Sequence, residues 1–141
     1  MSKLRQANGD DYADAAGKHL ADAEVLLSAL RIDGAAYHAG YVVECCLKAL
    51  IQLETNSGVR SHDLLGLDHT AATLAAQAGP RTASIYAAIS RITRNASVLR
   101  WNPQMRYQTP TMSHADGKNW FDDASEVYSK TVGALLLDGS I

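Results

Sequence analysis

From Ala13 the apolar positions recur at steps of three and four: Ala13, Ala16, Leu20, Ala23, Leu27 and Leu30. That spacing is the buried seam of an amphipathic helix in a bundle. Asp10, Asp11 and Asp14 stand at its start, where carboxylates favour the positive end of the helix dipole. Asp33 and Gly34 read as the turn that ends it. Residues 1–9 are polar and read as a frayed tail.

The segment 33–55 predicts a second helix of a different kind. Placed at steps of about 100°, Ala36, Ala39, Gly40, Val43, Cys46, Leu47, Leu50, Ile51 and Leu53 cover a wide apolar arc. Tyr37, His38, Tyr41, Glu44, Lys48 and Gln52 share the remaining sector. So broad an arc needs at least two packing partners, which makes this the central helix. Glu44 and Lys48 then form an i,i+4 pair half-covered by Tyr37 and Tyr41. Half-buried charges need partners, so an arginine of the fourth helix or a residue of the loop after it is expected to reach Glu44.

The rest of the chain is also helical in period. A third, short helix is predicted over 68–78, with Gly79 and Pro80 closing it and opening the fourth. In the fourth, Ile85, Ile89, Ile92, Ala96 and Leu99 step by four and three. The stretch WNPQMRYQTPTMS, residues 101–113, holds two prolines and no periodicity, and loops of that length are often functional. The last helix is predicted over 115–137, with Trp120, Ala124, Val127, Thr131 and Ala134 on one face and Phe121, Tyr128 and Leu135 beside it. The expectation is a single all-α domain over 1–141, a bundle of four long helices and one short one.

Composition agrees with this. The 141 residues are 47% apolar and 20% charged, with three prolines and one phenylalanine, a balance that favours helix and supplies a core. The two cysteines, Cys45 and Cys46, are adjacent and diverge on a helix, so neither a mutual disulfide nor a zinc site is expected. Free thiols, a polar start and no apolar run of about 20 residues point to a reduced, cytoplasmic setting with no membrane span.

Charge changes the picture more. Between Asp68 and Asp116 there is no acid, but there are five arginines: Arg81, Arg91, Arg94, Arg100 and Arg106. That interval carries +5, so with a net charge of −2 the remainder carries −7. Guanidinium matches phosphate as a planar fork, and aromatic rings among cations suit nucleobases. Arg91, Arg94, Arg100 and Arg106, with Trp101 and Tyr107, are therefore the candidate nucleotide- or phosphate-binding set. Tyr37, Tyr41, Glu44, Lys48, His62 and Asp63 are the candidate polar network, with His62 or Asp63 capping the third helix. No Glu-x-x-His, Gly-rich phosphate loop or zinc spacing occurs, so neither metal nor cofactor is expected.

The segments AAYHAGYVVECCLKALI, SHDLLGL and WNPQMRY together resemble the HEPN domain family of small helical bundles. Glu44 and Lys48 match the family's E-x-x-x-K unit, His62, Asp63 and Leu64 its turn, and Arg106 and Tyr107 its Arg-Tyr pair. The resemblance spans about residues 10 to 137. It implies an antiparallel up-and-down bundle, a homodimer, and in prokaryotes a minimal nucleotidyltransferase as partner. It also implies a nucleotide- or RNA-associated role, with metal-independent ribonuclease toxins as one branch.

That branch uses an Arg followed by His after four to six residues. Here Arg106 and His114 are the candidate catalytic pair, but seven residues separate them. Arg31 and His38 have six between them yet fall at the first helix junction. If cutting occurs, His114 takes the 2′-OH proton and Arg106 stabilises charge on phosphate. The departure favours a non-catalytic nucleotide- or RNA-associated module. The ribonuclease toxin is the alternative, followed by a purely structural dimeric partner.

Overall fold

A computed structural model describes residues 1–77, 81–95 and 97–141. The elements are α1 (Tyr12–Ser28), α2 (Ile32–Thr55), α3 (Leu64–Ala75), α4 (Ala83–Asn95), two 3₁₀ turns (Ser97–Arg100 and Pro103–Tyr107), α5 (His114–Tyr128), a π turn (Ser129–Gly133) and α6 (Ala134–Leu137). No strand occurs among the described residues. The cap expected at Gly79 and Pro80, and Ala96 of the fourth apolar series, lie outside them.

The central helix is α2, and α1, α3 and α5 all pack against it. Every residue over 42–53 is buried. The predicted apolar arc forms the core, but the polar sector is covered too: Glu44, Lys48 and Gln52 are also buried. Polar side chains enclosed in this way find most of their partners inside the protein.

Several boundaries differ from expectation: α3 ends at Ala75 and α4 at Asn95, which leaves Leu99 in the following 3₁₀ turn. Asp33 and Gly34 do not turn the chain. They lie in the first turn of α2, and the reversal is made at Leu30, whose φ is 58°. Leu30 leaves the α1 seam and stands exposed. The Asp33 carboxylate instead accepts the backbone N–H groups of Thr111 (3.1 Å) and Met112 (3.3 Å), pinning the long connection to the start of α2. The third helix begins at Leu64 rather than 68, after its N-cap Asp63.

The predicted last helix is a continuous helical path interrupted by the π turn. The Thr131 hydroxyl donates to the Val127 carbonyl (2.7 Å) there, beside buried Cys46. Burial pushes both cysteine thiols up to about 12, which leaves them poor nucleophiles. The tail is held rather than frayed. Ser2 donates through its N–H and hydroxyl to the Asp11 carboxylate (2.6 and 2.7 Å), and the Gln52 amide donates to the Leu4 carbonyl (2.8 Å). Among the described residues no helix is long and apolar enough to cross a membrane.

Candidate functional site

Glu44 and Lys48 lie one turn apart on the enclosed helix, 2% and 5% exposed. The Lys48 Nζ donates to Glu44 Oε1 at 2.8 Å. The third member is His62, whose Nδ1 stands 2.9 Å from Oε2 and 3.1 Å from Oε1 of the same carboxylate. The expected arginine is thus replaced by a histidine from the connection between α2 and α3. A carboxylate only accepts, so His62 donates through Nδ1 and turns its Nε2 edge away from Glu44. The His62 side chain is 54% exposed while its carboxylate partner is buried. A buried acid orienting a half-exposed imidazole fixes which ring edge faces solvent, as a binding group requires.

Tyr12 closes the other side. Its ring lies 5.4 Å from Lys48 Nζ, and its hydroxyl donates to the Val59 carbonyl (2.8 Å) while accepting the Val59 N–H (3.0 Å). Neither His62 nor Asp63 caps α3 through its side chain, contrary to expectation. His62 is drawn to Glu44 instead, and the Asp63 carboxylate leans over Gly66.

An aromatic row continues along α2. The Tyr37 and Tyr41 hydroxyls are 3.2 Å apart. Tyr41 stacks on His19 of α1 (4.9 Å between centroids, 17°) and meets Trp101 edge-on (4.7 Å, 71°). Burial, the Tyr37 hydrogen bond and the Glu44 charge all push the Tyr41 pKa up, so it stays a neutral phenol. A cavity of about 240 Å³ opens beside this row, lined by Tyr12, His19, Tyr41, Glu44 and Lys48 among others. A second polar knot flanks it: His19 Nδ1 and His38 Nδ1 are 3.0 Å apart, with Asp22 Oδ2 3.9 Å from His38.

The arginines do not form a single wall. Arg81 donates to the Leu53 carbonyl near the C-terminal end of α2. Arg106 lies at the opposite end, beside Tyr37. Sixteen residues of helix separate those two positions, roughly 24 Å at 1.5 Å per residue. Arg94 is engaged with Tyr86, a buried phenol whose hydroxyl donates to Asp68 (2.9 Å). Arg91 and Arg100 are exposed. Trp101 is 3% exposed, its indole N–H donates to the Tyr37 carbonyl (2.9 Å), and its ring fills the space a side chain would take at Gly40. It is a core residue, not an exposed base platform.

Tyr107, by contrast, is exposed, and the Arg106 guanidinium sits 4.8 Å from its ring. Tyr107 and then Tyr37 push the Arg106 pKa up. His114 is exposed as the first residue of α5, just after the capping Ser113. Sequence reasoning passes over Tyr12, His19 and Asp22. The one available signal is the His-x-x-Asp spacing on the first helix, and its meaning depends on where His38 lands.

These features define an all-α bundle whose enclosed central helix carries an internally paired acid and base. The family model of the HEPN domain matches residues 10–135, nearly the whole chain, and the protein belongs to that family. No curated protein and no solved structure matches the chain. Membership supports, broadly, a nucleotide- or RNA-associated helical protein.

Proposed function

We propose that this protein is a non-catalytic nucleotide- or RNA-associated module, acting as a homodimer with a minimal nucleotidyltransferase as partner. Phosphate is taken by Arg106 and a base by Tyr107, with Arg100 extending the cationic surface. The observation that carries this reading is the Arg106–Tyr107 pair: an exposed guanidinium 4.8 Å from an exposed ring, steadied beside Tyr37. Such a pair offers charge to phosphate and a π-face to a base without needing sequence readout. The buried Glu44–Lys48 pair, with half-exposed His62 on its carboxylate, organises the bundle. The absence of catalysis rests on the seven residues between Arg106 and His114, outside the ribonuclease spacing.

The test is binding of a labelled single-stranded RNA, and of a nucleoside triphosphate, across a salt series. Binding is expected to weaken steeply with salt. Arg106→Ala should weaken it by about tenfold and lower the salt slope by about one. His114→Ala should leave it unchanged, and the RNA should stay intact. Metal-independent cleavage that disappears in His114→Ala would replace this reading with the ribonuclease one. A stable dimer that binds neither probe at low salt would leave only a structural partner.

A further inference from the structure

The cluster formed by His19, Asp22 and His38 takes no part in the reading above. His19 and Asp22 are three residues apart on α1, and so lie on one face. His38 comes from the first turns of α2. The two Nδ1 atoms are 3.0 Å apart, Asp22 Oδ2 is 3.9 Å from that of His38, and one ligand atom from each residue lies within 4.8 Å of the other two. Burial pushes the pKa of both imidazoles down, and for His19 the neighbouring His38 adds to the effect. Two neutral rings aiming the same nitrogen at one point either share a proton or share an electrophile.

We propose that His19, Asp22 and His38 bind a late first-row divalent cation, with Zn²⁺ as the reference ion, joining α1 to α2 and leaving one coordination position open. Zn–N and Zn–O bonds of about 2.0–2.2 Å in tetrahedral geometry put ligand atoms about 3.3 Å apart. The observed 3.0 and 3.9 Å lie on either side of that value. The Asp22 side chain is 47% exposed, so its carboxylate can swing inward without disturbing the core. Both rings are already held: His19 lies flat on Tyr41, and His38 meets Tyr37 edge-on (5.8 Å, 88°). Neighbours that fix ring orientation are what a metal-ligating histidine needs. Two imidazole nitrogens and one carboxylate oxygen select zinc, cobalt, nickel or copper over magnesium or calcium.

The test uses the full chain, stripped of metal and titrated calorimetrically with Zn²⁺ at neutral pH. Co²⁺ is then added in parallel to read coordination from its visible ligand-field bands. One equivalent is expected to bind and to raise the melting temperature. His19→Gln and His38→Gln should each weaken binding by about 100-fold or more, and Asp22→Asn by about tenfold. Circular dichroism of the metal-free variants establishes that each is folded. Asp22→Asn, at a half-exposed position, keeps the test decisive if a histidine variant is not. Absence of Zn²⁺ binding by the wild type would overturn the proposal. So would unchanged affinity in the His19→Gln/His38→Gln double variant, which would put the ion on His62, His69 or His114.

Discussion

Replacing Lys48 with Met would strand a buried charge. Glu44 is 2% exposed, and of its two partners only His62 would remain, half in solvent. Breaking a buried ion pair from one side costs about 3–5 kcal/mol, because the ion left behind has lost its water and its buried counter-charge. An unfolding entropy of about 2.1 cal/mol/K per residue gives roughly 0.3 kcal/mol/K for a chain of this length. The Lys48→Met variant should therefore melt about 10–17 °C below the wild type. Thermal and urea unfolding, followed by circular dichroism, measure this. The double variant Glu44→Leu/Lys48→Met supplies the internal control. Removing both charges together leaves no orphan, and His62 can turn to water, so the double variant should recover to within about 1–2 kcal/mol of the wild type. A loss under about 3 °C for Lys48→Met would refute the reasoning, since an exposed i,i+4 bridge is worth only ~0.3–0.5 kcal/mol. A double variant as unstable as the single one would refute it equally.

Two further outcomes follow from named contacts. Gly40→Ala puts a methyl group into the Trp101 indole and should cost about 1–3 kcal/mol, with red-shifted tryptophan emission; unaltered melting and emission would mean that Trp101 is not seated there. Asp11→Ala removes the α1 N-cap and should cost about 1 kcal/mol near neutral pH. For Asp11 burial acts upward on the pKa, but the hydrogen bonds from Ser2 and Asp14 outweigh it and hold the carboxyl below its usual 3.8. A carboxyl depressed by folding contributes its full stability above the unfolded pKa and loses it as pH falls through the folded value. The gap between wild type and Asp11→Ala in urea melts should thus be complete around pH 6 and shrink below about pH 4. A gap independent of pH would show that the carboxylate charge is not its source.

The misplaced turn before α2 shows what local patterns carry. Asp33-Gly34 has the composition of a turn, and nothing in the chain alone favours Leu30 over it. The choice is made nearly eighty residues later, where Asp33 holds the N–H groups of Thr111 and Met112. The arginines behave in the same way. Their clustering between Asp68 and Asp116 is real as sequence, yet the fold places Arg81, just before α4, and Arg106, in the connection after it, at opposite ends of α2.

What the chain's pattern established without coordinates was the all-α class, the central place of α2, the residues of its apolar arc and the HEPN resemblance. The first three depend on spacing within single segments, where side-chain direction in a helix repeats with a fixed angle per residue, and the resemblance depends on three such segments in their order along the chain. That angle says which residues share a sector but not what lies against it. Packing alone buried the Glu44–Lys48 stripe beneath Tyr12, handed Glu44 to His62, took Trp101 into the core and set His38 against His19. Those contacts join segments from 18 to 64 residues apart, chosen by which faces must leave water together.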